Sequence, residues 1–114
     1  MTNVPINILR KILHSVTYDH QGIAHSSLPS GSVAFTRNYM KSEALPFEPG
    51  TIIGILYVCP CGCQGIGAIP FYKYDKLDAW NWNGSQHKPT LTPSILRKKT
   101  CGWHGYLTDG VFTS

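Results

Sequence analysis

Charge is scarce in this sequence. Asp, Glu, Lys and Arg make up 14% of 114 residues, against about 25% in an average soluble domain. Acidic residues are the scarcer sign, six against ten basic ones, for a net charge of +4 and a pI near 9.0. The densest basic cluster is Arg97-Lys98-Lys99. Three residues fall short of a typical nucleic-acid patch, so the cluster reads as a solvated strand end, with phosphate contact as the alternative. No run of eighteen apolar residues occurs, which excludes a membrane-spanning helix. The opening "MTNVPINILRKILHSV" is interrupted by Arg10, Lys11 and His14 and lacks the three-part pattern of a secretory signal. A reducing cytoplasm is the expected setting, where clustered thiols serve as metal ligands rather than disulfides.

Chemistry-bearing patterns are missing too. The sequence shows no glycine loop for phosphate, no paired catalytic carboxylates and no Ser-His-Asp pattern. Ser94 stands between Pro93 and Ile95 without a nucleophile elbow around it. The chain is therefore expected to work by binding rather than by catalysis.

What is present is glycine, proline and β-type residues, spread along the chain. Eleven glycines and eight prolines punctuate short apolar stretches. "SVAFTRNY" (32–39) alternates like a strand, and "TIIGILYVC" (51–59), β-branched and almost wholly apolar, is expected at the centre of a sheet. "SVTYDHQGIAH" reads as two short strands about a turn at Gln21-Gly22, and "LPFEPG" as a turn. "INILRKIL" fits a short helix after Pro5 or an extended arm. "DAWNWNGS" sets Trp80 and Trp82 on one strand face before an Asn83-Gly84 turn. "PTLTPSIL" is the return segment, which Pro89 and Pro93 confine to an edge or an irregular path. "CGWHGYLTDGVF" closes the chain with a second hairpin at Asp109-Gly110. The sum is one mainly β, antiparallel domain over 1–114, with an N-terminal part (1–45) and a metal-binding part (46–114).

Four cysteines carry the strongest signal, and three of them crowd into "VCPCGCQG". Cys61 and Cys63 form one chelating pair; Cys101 and His104 form a second as Cys-x-x-His. Zinc takes four such ligands tetrahedrally, with bound sulfurs ~3.8 Å apart. Residues two apart on a strand have Cα atoms ~6.7 Å apart, so the chain must pinch between the paired cysteines. Gly62 permits that. The expected set is Cys61, Cys63, Cys101 and His104, with Cys59 as the rival ligand: five candidates for four places. Such a site would join a hairpin tip to the C-terminal turn and staple a modest core. Unligated buried thiols are the bland alternative. His14, His20, His25 and His87 match no ligand spacing and read as loop residues, although Asp19, His20 and His25 could form a second site. Trp80, Trp82 and Trp103 read as core aromatics.

The box "CGWHGYLTDG" is similar to the second box of Rieske proteins, which makes a [2Fe–2S] cluster the alternative cofactor and electron transfer the alternative role. Taken together, "CPCGCQGIGAIP", "WNWNGSQHKPTLTPSI" and "CGWHGYLTDGVF" resemble an uncharacterised family of small phage and bacterial metal-binding proteins. The pattern is a Cys-Pro-Cys-Gly-Cys box, a Pro-Thr-Leu-Ser-Pro-Ser-Ile stretch and a Cys-x-x-His box. Thr92 stands where the family has Ser, and Gln64 where Gly is common. The resemblance implies metal residues at Cys59, Cys61, Cys63, Cys101 and His104, and gene neighbourhoods with ubiquitin-like conjugation components. It points to a zinc-stabilised module, phage or mobile-element encoded, that binds a host or bacterial protein and interferes with a defence component. Nucleic acid is the alternative class of partner.

Overall fold

The computed structural model describes residues 3–9, 16–38, 50–72, 79–97 and 101–114. Eleven strands run in chain order among them: β1 Asn3–Pro5, β2 Asn7–Ile8, β3 Val16–Tyr18, β4 Ala24–Ser26, β5 Ser32–Arg37, β6 Ile52–Val58, β7 Ile66–Pro70, β8 Asn81–Trp82, β9 Leu91–Leu96, β10 His104–Thr108 and β11 Val111–Thr113. No helix occurs among the described residues, so none is long and apolar enough to cross a membrane. The mainly β, antiparallel reading is what the chain adopts. One ladder departs from it, because β2 pairs parallel to β5 through Asn7↔Ser32 and Ile8↔Val33. The opening segment is thus the extended arm rather than a helix over its described residues. The "LPFEPG" turn lies largely outside the described residues.

Two sheets carry the fold. One has the order β1-β11-β10-β9-β8, the other β2-β5-β6-β7, and β3-β4 forms a separate ribbon. The apolar segment 51–59 supplies β6, an interior strand as expected, paired with β5 and β7. Its alternate residues divide between two faces, because strand side chains have a period of two. Ile55, Tyr57 and Cys59 join Val33 and Ile69 against Leu91, Ile95, Leu107, Phe112 and Trp103 from the other sheet. Ala34 and Val58 face away, into a smaller cluster with Leu28, Leu56 and Ile66.

Aromatic rings set much of the core's shape. Phe112 is fully buried between Tyr57 (centroids 5.7 Å) and the edge of Trp103 (5.9 Å). Trp82 stacks on Phe71 at 5.1 Å and meets Phe35 at 5.5 Å. The tryptophans are packing residues here, as their spacing suggested. Close ring packing also fixes two glycines. A Cβ on Gly67 would stand 2.1 Å from the Tyr57 ring, and one on Gly105 would stand 2.2 Å from the Thr113 carbonyl oxygen.

The strand that carries Pro93 takes the irregular path its prolines demanded. Gly105 pairs with Ile95, but Leu107 pairs with Leu91. Tyr106 alone on β10 therefore faces Thr92, Pro93 and Ser94 on β9. This is a bulge, the place within a sheet where a residue lacking an N–H is tolerated. The β8–β9 connection is longer than a tight Asn-Gly hairpin: Asn81 pairs with Thr92 and Trp82 with Leu91. Asn83 organises the loop, its side-chain oxygen accepting from the backbone N–H groups of Ser85 and Thr90.

Phe112→Ala is expected to cost about 3–5 kcal/mol by removing a fully enclosed ring. Tyr18→Ala, at a residue 72% exposed, should stay within about 0.5 kcal/mol. Denaturant melts of both variants measure the difference.

Candidate metal centre and serine–histidine pair

The first cysteine turn follows directly from β6. Cys59 follows the last residue of β6 and is fully buried, and its N–H donates to the Gly65 carbonyl at 2.8 Å, closing the loop between β6 and β7. Gly62 at the tip has φ +95°, the left-handed conformation that lets the chain pinch there. Gln64 also lies at positive φ (65°) and is held by its side chain. Its amide N–H groups donate to the carbonyls of Ser26 and Leu28, both at 2.7 Å, and its oxygen accepts from Ser30 at 3.0 Å. A glycine there would have the backbone freedom and none of these bonds. A Cβ on Gly65 would press on Arg97 Nη2 at 2.8 Å and Cys63 Sγ at 3.3 Å, so any side chain there displaces the Arg97 guanidinium.

The second turn joins β9 to β10. The Arg97 N–H donates to the Trp103 carbonyl, and the Gly102 N–H returns to the Arg97 carbonyl, both at 2.9 Å. Gly102 has φ +77°. Cys101 sits between these bonds and meets the first turn: its Sγ is 3.5 Å from Cys59 Sγ, which is 3.3 Å from Cys61 Sγ. All four sulfurs, those of Cys59, Cys61, Cys63 and Cys101, lie within 4.8 Å of one another. A tetrahedral zinc thiolate has ligand sulfurs ~3.8 Å apart, so the donor set fits one ion.

The surroundings favour thiolates unequally. Burial pushes the Cys59 and Cys63 thiols above their usual range. Burial also opposes ionisation of Cys101, but the Trp103 N–H and the neighbouring thiols outweigh it and bring the value down to about 6. Two backbone N–H groups already point at sulfur, Cys63 N–H toward Cys61 Sγ and Gly65 N–H toward Cys63 Sγ, each at 3.4 Å. Outside the sulfur group, His25 braces the turn. Its Nδ1 bonds the Cys63 carbonyl at 3.2 Å while Nε2 meets the Asp19 carboxylate at 2.9 Å. The ordering of the Asp19 loop by the Ile23 N–H, and then by His25, holds this carboxyl below its usual range. Asp19 and His25 therefore do meet, with Cys63 rather than His20 as the third member.

His104 is not in the sulfur group. It lies in β10, and in a strand consecutive side chains alternate in direction. Trp103 turns into the core, so His104 turns outward. There its Nε2 stands 3.0 Å from Ser94 Oγ. Leu96 is the register partner of His104, which makes Ser94 its diagonal neighbour, a distance that a histidine spans. The place expected for His104 in the sulfur group is held by Cys59, the thiol expected to be spare.

Ser94 is half-buried and its backbone is also held. The Trp80 indole N–H donates to the Ser94 carbonyl at 3.3 Å. The β8–β9 ladder stops at Asn81↔Thr92, short of Ser94. The indole supplies the donor that the ladder lacks at Ser94. Among the described residues no carboxylate bonds His104, so the arrangement is a pair.

The family model described as bacterial ubiquitination-like system serine protease (BubE) matches residues 22–114. This chain belongs to the BubE family. The matched region holds both cysteine turns, Ser94 and His104. Searches of curated proteins and of solved structures return no match. The ubiquitin-like setting implied by the three sequence boxes is the one the BubE family describes.

Nothing in the sequence spacing of Ser94 and His104 announces them as a pair. The available signal was their parity. Ser94 and Leu96 share a face of one strand, His104 follows a turn through Cys101, and antiparallel pairing brings the two polar residues to one surface. The bulge at Pro93 hid the register. Ligand assignment has a direct check. In metal analysis of purified protein, Cys59→Ser should lose bound metal and melt early, whereas His104→Ala should keep about one ion per chain, as a four-cysteine site requires. The reverse pattern would return His104 to the ligand set.

Proposed function

We propose that this chain is a serine peptidase acting in a bacterial ubiquitination-like system, with Ser94 as nucleophile and His104 as general base. The observation that carries this reading is the 3.0 Å contact between His104 Nε2 and Ser94 Oγ, in a family described as serine proteases. A serine hydroxyl is a weak nucleophile until a base takes its proton, and hydrogen-bond contact is the required geometry. In the proposed reaction Nε2 accepts the Ser94 proton as Oγ attacks the scissile carbonyl. The imidazolium then returns that proton to the leaving amine, and an acyl ester remains on Ser94. Water, deprotonated in turn by His104, releases the acyl group. Trp80, bonded to the Ser94 carbonyl, holds the nucleophile's backbone in place.

The partner on this reading is a protein substrate, from the host or another bacterial protein. Interference with defence remains compatible with such a partner. Nucleic-acid binding is less well supported, because Arg97 is 8% exposed and lies over the Tyr57 ring, 5.8 Å from its centroid.

Zinc is the proposed ion. Four thiolates converging on one point suit a single ion better than a [2Fe–2S] cluster, whose terminal ligands are split between two irons. The histidine on which the Rieske likeness rests faces Ser94 instead. Zinc with four protein ligands acts as a cross-link, with its coordination shell closed.

A fluorophosphonate probe, which forms a covalent bond with activated serines, tests the pair. Intact-mass and peptide analysis should find one adduct on Ser94. Ser94→Ala should abolish it, and His104→Ala should slow it by about 100- to 10,000-fold, the usual contribution of a general base. An unlabelled Ser94 in folded, metal-loaded protein would overturn the assignment.

A further inference from the structure

The outer face of β9 and β10 carries four side chains in a square. Ser94 and Leu96 stand two apart on β9, and His104 and Tyr106 stand two apart on β10. Leu96 faces His104 in register, and Tyr106 faces the bulge that contains Ser94. The Ser94–His104 hydrogen bond therefore runs along one diagonal, and Leu96 and Tyr106 occupy the other two corners. Both are large, apolar and open to solvent, 55% and 51% exposed. Among the described residues, only Ile8 and Tyr18 share that character, and neither lies on this hairpin. An exposed apolar residue is unremarkable singly, but a pair on either side of reactive groups marks a binding site. The side chains beside the square on this face, Thr92, Thr108 and Thr113, are uncharged.

Resting on the serine-hydrolase reading of the pair, we propose that Leu96 and Tyr106 are the walls of the substrate site and select an apolar side chain on the acyl side of the scissile bond. A carbonyl brought to Ser94 Oγ on the face it shares with His104 lies beside these two residues. The group attached to that carbonyl comes to rest against one or both of them. Burying its methylenes there is favourable, whereas a charged group would lose water without gaining an opposite charge from the described side chains on this face. The occupant is thus an extended, uncharged stretch of polypeptide with an apolar residue next to the bond that breaks.

A series of p-nitrophenyl esters, from acetate through butyrate to hexanoate, isolates this acyl-side preference from the rest of a protein substrate. Hydrolysis by the full chain is measured with Ser94→Ala as the blank. The specificity constant kcat/KM should rise about tenfold from acetate to hexanoate, a smaller gain than a closed pocket gives because these walls are open. Leu96→Asn and Tyr106→Asn should each cut that gain to about threefold or less. Both positions are half-exposed, so folding tolerates the changes. A flat series in protein that labels at Ser94 overturns the apolar walls and leaves the nucleophile intact. A tenfold gain that survives both substitutions also overturns them. Protein that neither labels at Ser94 nor hydrolyses any ester overturns the hydrolase reading and this one with it.

Discussion

The convergence of four thiols at one end of the molecule is the constraint on which the rest depends. Three of them belong to the turn after β6, in the four-stranded sheet; the fourth belongs to the turn between β9 and β10, in the five-stranded sheet. A domain of this size gains only a modest core from its apolar residues, and several of its strands have two or three residues. Strands that short pair marginally unless something else aligns them. A metal cross-link between the two turns would align both sheets at once. It also explains why neighbouring groups are used to brace the turns. Gln64 ties the first to residues 26–30, and His25 ties it to Asp19.

The Ser94–His104 pair inherits this alignment. A nucleophile on a sharp strand-to-helix elbow carries its own strained geometry. Here no helix is available among the described residues, and the proposed nucleophile and base sit on adjacent strands of one hairpin. Their distance is therefore set by register. A slip of one residue would turn one of the two side chains to the opposite face. Cys101 lies in the turn that fixes the register, three residues before His104 and seven after Ser94. The sulfur group and the polar pair are on this view one construction: the first holds the hairpin, and the second uses it.

Much of the fold was legible in the sequence because its signals are local. Alternation in 32–37, the β-branched run 52–58 and the Asp109-Gly110 turn each specify their own element without help from distant residues. The parallel pairing of β2 with β5 was not legible, since nothing in "NI" or "SV" names a partner. The cysteines announced a metal-type site by crowding. Their full membership was not legible, because five candidates competed for four places and spacing alone does not choose Cys59 over His104. The Cys-x-x-His spacing drew His104 toward the sulfurs, while strand parity sent it the other way. In a strand, Cys101 and His104 would point to opposite sides, and the chain enters β10 at His104. The pairing with Ser94 further required the bulge at Pro93, a three-against-one irregularity that no local pattern announces.

Proline at position 93 reconciles these observations. In the interior of a sheet it removes a ladder hydrogen bond and is normally excluded. Here it stands in the bulge opposite Tyr106, while the Ser94 carbonyl turns to the other side, toward β8. Trp80 then satisfies that carbonyl from its side chain, which is possible only because the β8 ladder has already ended. Each departure from regular pairing thus removes a constraint on Ser94 and replaces it with one from a side chain. The serine lies in a strand yet is held by its own set of contacts, separate from the ladder. A residue meant only to pack or pair would gain nothing from this. For one whose hydroxyl has to meet an imidazole at hydrogen-bond distance, the side-chain contacts fix both its backbone and its direction.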